Sequence, residues 1–181
     1  MFSDLQDSGA IEANGLRLET LADATRLNFR GNAAAAQAMG RAFGLALPQE
    51  ACRAAIAGDQ AALWLGPDEW LLLAPPGAAA RLTAAAATAL AGLPHGLVEI
   101  SNRQIALGLS GRHAATVLAG GNPLDFDLRA FPVGMCTRTI LGKAEIVLWR
   151  TEPDRFHIEV WRSFAPYVRG FLAEHMREFG G

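Results

Sequence analysis

The sequence predicts an α+β fold of two similar units, each an antiparallel sheet backed by helices. The order strand, helix, strands and helix occurs twice along the 181 residues, with glycines and prolines at comparable positions. Apolar residues make up 51% of the chain, which is enough for a sizeable core and argues against extended disorder. We expect a flexible tail at residues 1–12, a first unit at 13–97 and a second unit at 98–181.

The first unit opens with a segment in which apolar and polar residues alternate, which indicates a strand. An Ala-rich pattern after Gly31-Asn32 then indicates a helix that Gly44 ends, and Pro67-Asp68 forms a turn between two further strands. The predicted elements are strand Thr25–Arg30, helix Ala33–Phe43, strands Ala61–Gly66 and Glu69–Leu73, and helix Ala78–Leu93.

The second unit repeats this order. The pairs Leu63-Trp64 and Leu148-Trp149 precede corresponding turns at similar distances, and Pro153-Asp154 forms the second of those turns. Ser163 is the expected N-cap of the final helix, with Pro166 in its first turn. The predicted elements are strand Gln104–Ser110, helix Arg112–Ala119, strands at 136–141, Ala144–Arg150 and Arg155–Arg162, and helix Phe164–Phe179.

Charge and hydropathy argue against several classes of function. The formal net charge is −2 and no run of Lys and Arg stands out, so a nucleic-acid-binding surface is not expected. The first ten residues, MFSDLQDSGA, lack the basic and apolar regions of a secretion signal. The apolar runs are too short or too Ala-rich to cross a bilayer, so we expect a cytoplasmic protein without membrane contact.

No combination of residues in the sequence indicates a complete active site. Cys52 and Cys136 are the only cysteines and the four histidines are scattered, so neither a disulfide framework nor a metal cluster is expected. Cys136 lies among apolar residues, where a small buried side chain is more common than a nucleophile. Asp68 and Glu69 are adjacent in a turn and point in different directions, which suits acid–base catalysis poorly. We therefore predict no catalytic, cofactor-binding or metal-binding residue in this chain.

The Gly142-Lys143 pair allows two interpretations. A phosphate-binding loop needs a glycine five positions before the Gly-Lys pair and a Ser or Thr after it, but Thr137 and Ala144 occupy those positions. A type II′ hairpin turn needs a positive φ at its first central residue, which Gly142 provides. The sequence therefore favours a hairpin whose strands flank Gly142-Lys143.

The hairpin register predicts two different faces on this sheet. One face combines apolar and Thr side chains and is expected to pack on the helices. The other is mixed and carries Arg138, Ile140, Glu145, Val147, Trp149, His157, Glu159 and Trp161. Because Trp and Arg are enriched at protein interfaces, we predict that Arg138, Trp149, His157 and Trp161 contact a partner. The alternative is that this face packs against the other half of the same chain.

Four stretches of the chain resemble the gamma subunits of heterotetrameric sarcosine oxidases. They are WLGPDEWLLL (64–73), ISNRQIALGLSGRHAATVLAGGNPLDF (100–126), FPVGMCTRTILGKAEIVLWR (131–150) and FHIEVWRSFAPYVRGFL (156–172). The resemblance covers most of the chain from about residue 60 onward. It implies a fold that is ferredoxin-like or similar to the folate-binding domain of aminomethyltransferases.

The resemblance also implies a function. The chain is expected to be a non-catalytic structural subunit of a complex that oxidatively demethylates sarcosine to glycine. Oxygen is the acceptor, and the products are hydrogen peroxide and a one-carbon unit for tetrahydrofolate. The expected partners are the alpha, beta and delta subunits, which would carry the FAD, FMN, NAD, tetrahydrofolate and zinc.

Two alternatives remain open at this point. The likeness to aminomethyltransferases allows a folate-binding module, for which Glu99 or Asp125 is the carboxylate that could meet the pterin ring. A stand-alone enzyme that uses Cys136 as its nucleophile is the other alternative.

Overall fold

The computed structural model describes residues 9–179, which form two compact units. Asp23–Ser101 form the central unit, and residues 9–22 together with 102–179 form the terminal unit. The elements in chain order are β1 (Ile11–Ala13), β2 (Leu16–Thr20), β3 (Thr25–Gly31), α1 (Ala33–Phe43), β4 (Ala54–Ala57), β5 (Gln60–Gly66), β6 (Glu69–Ala74), α2 (Ala79–Ala89), β7 (His95–Glu99), β8 (Gln104–Ser110), α3 (Ala114–Ala119), β9 (Cys136–Leu141), β10 (Ala144–Glu152), β11 (Arg155–Trp161) and α4 (Ala165–Arg177). Within residues 9–179, no helix has the length and apolar content needed to cross a bilayer.

The central unit is an antiparallel sheet with two helices packed on one face. Its strands are hydrogen-bonded in the order β4-β5-β6-β3-β7. Asn32 Oδ1 accepts a hydrogen bond from the backbone N–H of Ala35 at 3.0 Å and thereby caps α1, whose bounds match the prediction. The largest side chains of this core are Leu27, Phe29, Met39, Phe43, Leu47, Trp70, Leu72, Leu82 and Leu90.

The terminal unit has the same construction with one more strand. Its antiparallel sheet has the order β1-β2-β8-β11-β10-β9, and α3 and α4 pack on one face. Pro166 lies in the first turn of α4 as predicted, but Phe164 rather than Ser163 is the N-cap residue. Core residues contributed by the two helices are Ala114, Val117, Leu118, Ala165, Val168, Leu172 and Met176.

The two sheets share one strand arrangement, which confirms the predicted pair of similar units. The order β9-β10-β11-β8-β2 in the terminal unit corresponds to β4-β5-β6-β3-β7 in the central unit. In the central unit the strand beside β3 is β7, which follows α2 in the chain. In the terminal unit the corresponding strand beside β8 is β2, which precedes the central unit in the chain. The β1–β2 segment therefore completes the sheet of the terminal unit.

This pairing corrects the predicted unit boundaries at 13–97 and 98–181. Leu18 of β2 lies opposite Leu109 of β8, so the segment that contains β1 and β2 belongs to the terminal unit. Glu99 of β7 lies opposite Leu27 of β3, so the central unit extends to Ser101. The predicted tail includes the start of β1, while residues 1–8 lie outside the described part of the chain.

A buried arginine holds the long connection at 120–135 in the terminal unit. Arg150 is only 3% exposed, and its guanidinium donates to the carbonyl oxygens of Phe126 at 2.9 Å and Phe131 at 2.7 Å. It also donates twice to the carbonyl oxygen of Pro153, at 3.0 and 2.7 Å. One side chain therefore fixes two points of the connection and the turn before β11.

Candidate partner-binding surface

The Gly142-Lys143 pair forms a two-residue turn between β9 and β10. Leu141 lies opposite Ala144, and Gly142 has a φ of 58° whereas Lys143 has a negative φ, which matches a type II′ turn. The backbone N–H of Lys143 donates to the hydroxyl of Tyr167 at 3.1 Å and joins the turn to α4. The hairpin prediction is confirmed, and the extended β9 leaves no loop that could curl around a phosphate.

The register also confirms the two predicted faces of this sheet. Thr139 lies opposite Ile146 and Thr137 opposite Leu148 on the face that packs against α3 and α4. Apolar residues of that face in the core are Leu141, Ala144, Ile146, Leu148, Phe156, Ile158 and Val160. The opposite face, called here the distal face, carries Cys136 together with the predicted Arg138, Ile140, Glu145, Val147, Trp149, His157, Glu159 and Trp161.

Exposure on the distal face falls with distance from the turn. In the row nearest the turn, Ile140 is 51% and Trp161 is 41% exposed. In the next row Val147 is 5% exposed, and in the third row Trp149 is 7% exposed and Cys136 is completely buried. The end of this face beside the turn, together with Arg138 on the edge strand of the next row, is therefore open to a partner.

Trp149 must be removed from the predicted partner contacts because it is buried. Its indole ring lies 5.6 Å from the ring of His157, which is itself largely covered. His157 Nε2 lies 2.8 Å from Oε1 of Glu159, whose side chain is inaccessible to solvent. The mixed composition of this face suggested an interface, but Trp149 and Glu159 in its inner rows are buried.

Arg138 and Trp161 remain accessible, as partner contacts require. The guanidinium of Arg138 lies 3.8 Å from the carboxylate of Glu145, a salt bridge between diagonal positions on neighbouring strands. The guanidinium carbon of Arg103 lies 4.8 Å from the ring centre of Trp161, within the range of a cation–π interaction. Trp and Arg are among the residue types that contribute most to protein–protein binding.

Four exposed apolar side chains surround the turn and form what we call the turn patch. Its members are Ile140, Trp161, Phe164 at 43% and Tyr167 at 39% exposure. The hydrogen bond from the Lys143 N–H to the Tyr167 hydroxyl joins α4 to the hairpin within the patch. A pocket of about 280 Å³ opens at the patch and is lined by Lys143, Glu145, Trp161 and Phe164.

Apolar residues recur at helical spacing through the last helix and predict one stripe that includes Phe164 and Tyr167, so the sequence did not indicate these two as surface residues. The structure divides that stripe into a buried row, with Val168, Leu172 and Met176, and an outer row that contains Phe164 and Tyr167. The width of the apolar stripe could have indicated this division. A helix that packs on one sheet buries only part of so wide a stripe, and the remaining apolar residues stay exposed.

Cys136 lacks the geometry of a catalytic nucleophile. Its side chain is completely buried, and Trp149 separates it from His157 across the sheet. Two strand spacings place Cys136 and His157 about 9–10 Å apart, too far for a thiol–imidazole hydrogen bond.

We expect a thiol-specific reagent to modify Cys52 rapidly and Cys136 only after the protein unfolds. Cys52 is half-buried while Cys136 is buried, so Cys52 is the fast site. The measurement is the number of thiols titrated before and after denaturant is added, with Cys52→Ser as the matched control that should remove the fast phase. A fast phase that persists in Cys52→Ser would contradict the buried position of Cys136.

The two carboxylates proposed for folate lie in different units. Glu99 is at the end of β7 in the central unit and accepts a hydrogen bond from Ser101 Oγ at 2.9 Å. Asp125 is in the terminal unit, where its carboxylate accepts the backbone N–H of Asp127 at 2.9 Å in a local turn. Each carboxylate is exposed and engaged with its own loop.

A groove along α1 also lacks catalytic groups. It measures about 900 Å³ and lies along α1, where the lining consists of Ala, Gly and Leu residues with Gln37, Arg41 and Gln49. Among residues 9–179, no group of three or more His, Cys, Asp or Glu side chains is arranged to hold a metal ion. The groove can accept apolar surface but offers no acid, base or nucleophile.

Comparison with known proteins shows one family along most of the chain. A family model described as "Sarcosine oxidase, gamma subunit family" matches residues 29–178. The sarcosine oxidase subunit gamma of Corynebacterium sp. (strain P-1) is 34% identical over 172 residues, covering 92% of this chain and 83% of the relative. The protein of the same name from an Arthrobacter species is 34% identical over 170 residues, with the same coverage of both chains.

Solved structures agree with this relationship. A chain of the heterotetrameric sarcosine oxidase from Corynebacterium sp. U-96, solved in complex with pyrrole 2-carboxylate, superposes with a TM-score of 0.87 at 29% identity. The superposition covers 99% of this chain and 92% of that chain. The glycine cleavage system aminomethyltransferase T from Bartonella henselae matches with a TM-score of 0.66 at 17% identity, covering 88% of this chain and 46% of that chain, which shows a shared fold.

Proposed function

Because this chain belongs to the sarcosine oxidase gamma subunit family, we propose that it is a non-catalytic structural subunit of a sarcosine-oxidising complex. The complex would demethylate sarcosine to glycine, with oxygen as acceptor and hydrogen peroxide as a product. The one-carbon unit would pass to tetrahydrofolate.

The observation that carries this proposal is an exposed turn patch in a chain whose candidate reactive side chains are either buried or isolated from one another. Ile140, Trp161, Phe164 and Tyr167 expose apolar side chains around one turn, and Trp161 and Phe164 line a pocket there, which is the kind of surface that binds a partner. Cys136 is buried, while Glu99 and Asp125 bond only to their own loops. The chain is thus equipped for association rather than for bond chemistry.

The proposed partners are the alpha, beta and delta subunits of the complex. The FAD, FMN, NAD, tetrahydrofolate and zinc are expected in those subunits, and the assembled complex is expected in the cytoplasm. In this proposal the other subunits carry the cofactors, and the gamma subunit joins or stabilises them.

The assembled complex tests whether the chain contributes to catalysis. We expect Cys136→Ala, Glu99→Gln and Asp125→Asn to leave sarcosine-dependent peroxide formation per bound flavin unchanged once each variant is incorporated. Incorporation is measured separately as the amount of this chain that co-purifies with the flavin-bearing subunits. A variant that is fully incorporated but loses turnover would show that the chain takes part in the reaction.

A folate-binding module is the second candidate, and the shared fold with aminomethyltransferase T favours it. Calorimetry of the isolated chain with tetrahydrofolate distinguishes the two functions. Saturable heat that Glu99→Gln or Asp125→Asn removes would support folate binding, whereas the absence of heat at high ligand concentration would eliminate it.

A further inference from the structure

We propose that the turn patch binds an acidic segment of a partner subunit, which inserts one apolar side chain into the pocket beside Trp161. This inference rests on the proposed function, since it assigns the contact through which the subunit joins its complex. Its basis is the pocket, the local charge and the way in which the aromatic side chains are held.

The pocket is small and suits a single side chain. Its volume of about 280 Å³ lies at the lower end of the roughly 300–1,000 Å³ of sites that enclose small-molecule ligands. Trp161 and Phe164 supply its apolar lining, and Lys143 and Glu145 its polar part. An aliphatic or aromatic side chain of a partner can therefore be buried there while its backbone remains beside polar groups.

The charge around the patch selects an acidic partner. Arg103, Arg138, Lys143 and Arg162 supply four formal positive charges beside or within the patch, while Glu145 and Glu159, the latter in the same row of the distal face as Arg138, supply two negative charges. The local formal sum of +2 contrasts with the net charge of −2 for the whole chain. Such a local reversal of charge steers carboxylates toward this surface and disfavours a basic segment.

Contacts within the chain hold the aromatic side chains before a partner arrives. Arg103 lies over the ring of Trp161 at 4.8 Å, and the Tyr167 hydroxyl accepts the N–H of Lys143 at 3.1 Å. Side chains that are already fixed lose less conformational entropy on binding. Trp161 is therefore expected to contribute more to binding than its exposed area alone suggests.

The experiment co-expresses the tagged chain with its native partner subunits and measures how much partner is retained as salt is raised. We expect Trp161→Ala to reduce retention at least tenfold, and Lys143→Glu or Arg103→Glu to reduce it at low salt. Ile56→Ser on β4, which removes an apolar side chain that is 61% exposed, is the matched control and should retain partners normally. Circular dichroism of each purified variant separates loss of binding from loss of folding.

The outcomes distinguish this inference from the proposed function. If the unaltered chain retains no partner subunit, the proposed function fails. If it retains partners and folded Trp161→Ala, Lys143→Glu and Arg103→Glu retain them equally well, only the inference is overturned. A patch that binds a second copy of the chain would appear as a dimer of the isolated chain that Trp161→Ala dissociates, and this result would also overturn it.

Discussion

Arg150→Met is expected to lower the free energy of unfolding of the terminal unit by about 3–5 kcal/mol, since buried carbonyls lose their donors. The substitution keeps an unbranched apolar stem over Phe156, whose ring centre lies 4.9 Å from the guanidinium carbon. It removes the four hydrogen bonds that the guanidinium donates to the carbonyl oxygens of Phe126, Phe131 and Pro153. The measurement is urea unfolding followed by circular dichroism.

The electrostatic setting of Arg150 explains why lysine should not replace it. Burial lowers the pKa of the guanidinium from its ordinary value, while Asp154 and Asp127 oppose that shift, and the side chain stays charged. The guanidinium reaches three carbonyl oxygens from separate nitrogens that lie in one plane. A lysine ammonium has a single nitrogen and cannot reproduce that arrangement. Arg150→Lys is therefore expected to be destabilised to an intermediate extent.

Arg129→Met is the matched control for the same connection. Arg129 pairs with Asp127 at 3.0 Å, but its side chain is 93% exposed, so its removal should leave the unfolding midpoint nearly unchanged. Hydrogen bonds from the side chain and backbone of Arg129 lower the pKa of Asp127. Equal midpoints for Arg150→Met and Arg129→Met would contradict the role assigned to Arg150.

Gly111→Ala is expected to destabilise the terminal unit by about 2–5 kcal/mol, combining left-handed backbone strain with overpacking. Gly111 has a φ of 122°, and a Cβ there would overlap the carbonyl oxygen of Gly15 and lie 3.0 Å from Cα of Leu16. The neighbouring atoms are backbone, so the β1–β2 hairpin would have to shift away from the end of β8. Hydrogen exchange of the amides that join β2 to β8 should then accelerate.

Gly134→Ala separates the two causes. Gly134 has a φ of 84°, but a Cβ there would meet nothing within 4 Å, so this substitution carries conformational strain without a clash. We expect it to cost about 1–2 kcal/mol and to leave exchange in β2 unchanged. If Gly111→Ala is no more destabilising than Gly134→Ala, the close approach of the hairpin to β8 does not contribute to stability.

Local patterns predicted the elements that form from neighbouring residues. The bounds of α1 and β8 match the predictions because an Ala-rich helix with an Asn cap and an alternating strand carry their signals within a few residues. The β1–β2 hairpin was missed, although Asn14-Gly15 between alternating residues is a strong hairpin signal. β7 was missed because its residues are mostly exposed and show no period.

The two Leu-Trp pairs look equivalent in the sequence but are shifted by one residue relative to the faces of their sheets. Leu63-Trp64 and Leu148-Trp149 were predicted to correspond, but Trp64 packs against the core beneath the helices while Trp149 lies on the distal face. Since side chains alternate between the faces of a sheet, a shift of one residue exchanges inside for outside. Architecture is repeated in the two units, whereas the positions of individual side chains are not.

By itself the sequence determined the turn at Gly142-Lys143, the alternation of its strands and hence which side chains share a face. Those features depend on the φ that glycine allows and on a two-residue period, which involve only adjacent residues. The tertiary structure decided that β2 completes the sheet of the terminal unit, that Trp149 is buried and that Trp161 remains exposed. Pairing and burial depend on residues that are distant in the chain, so no local pattern records them.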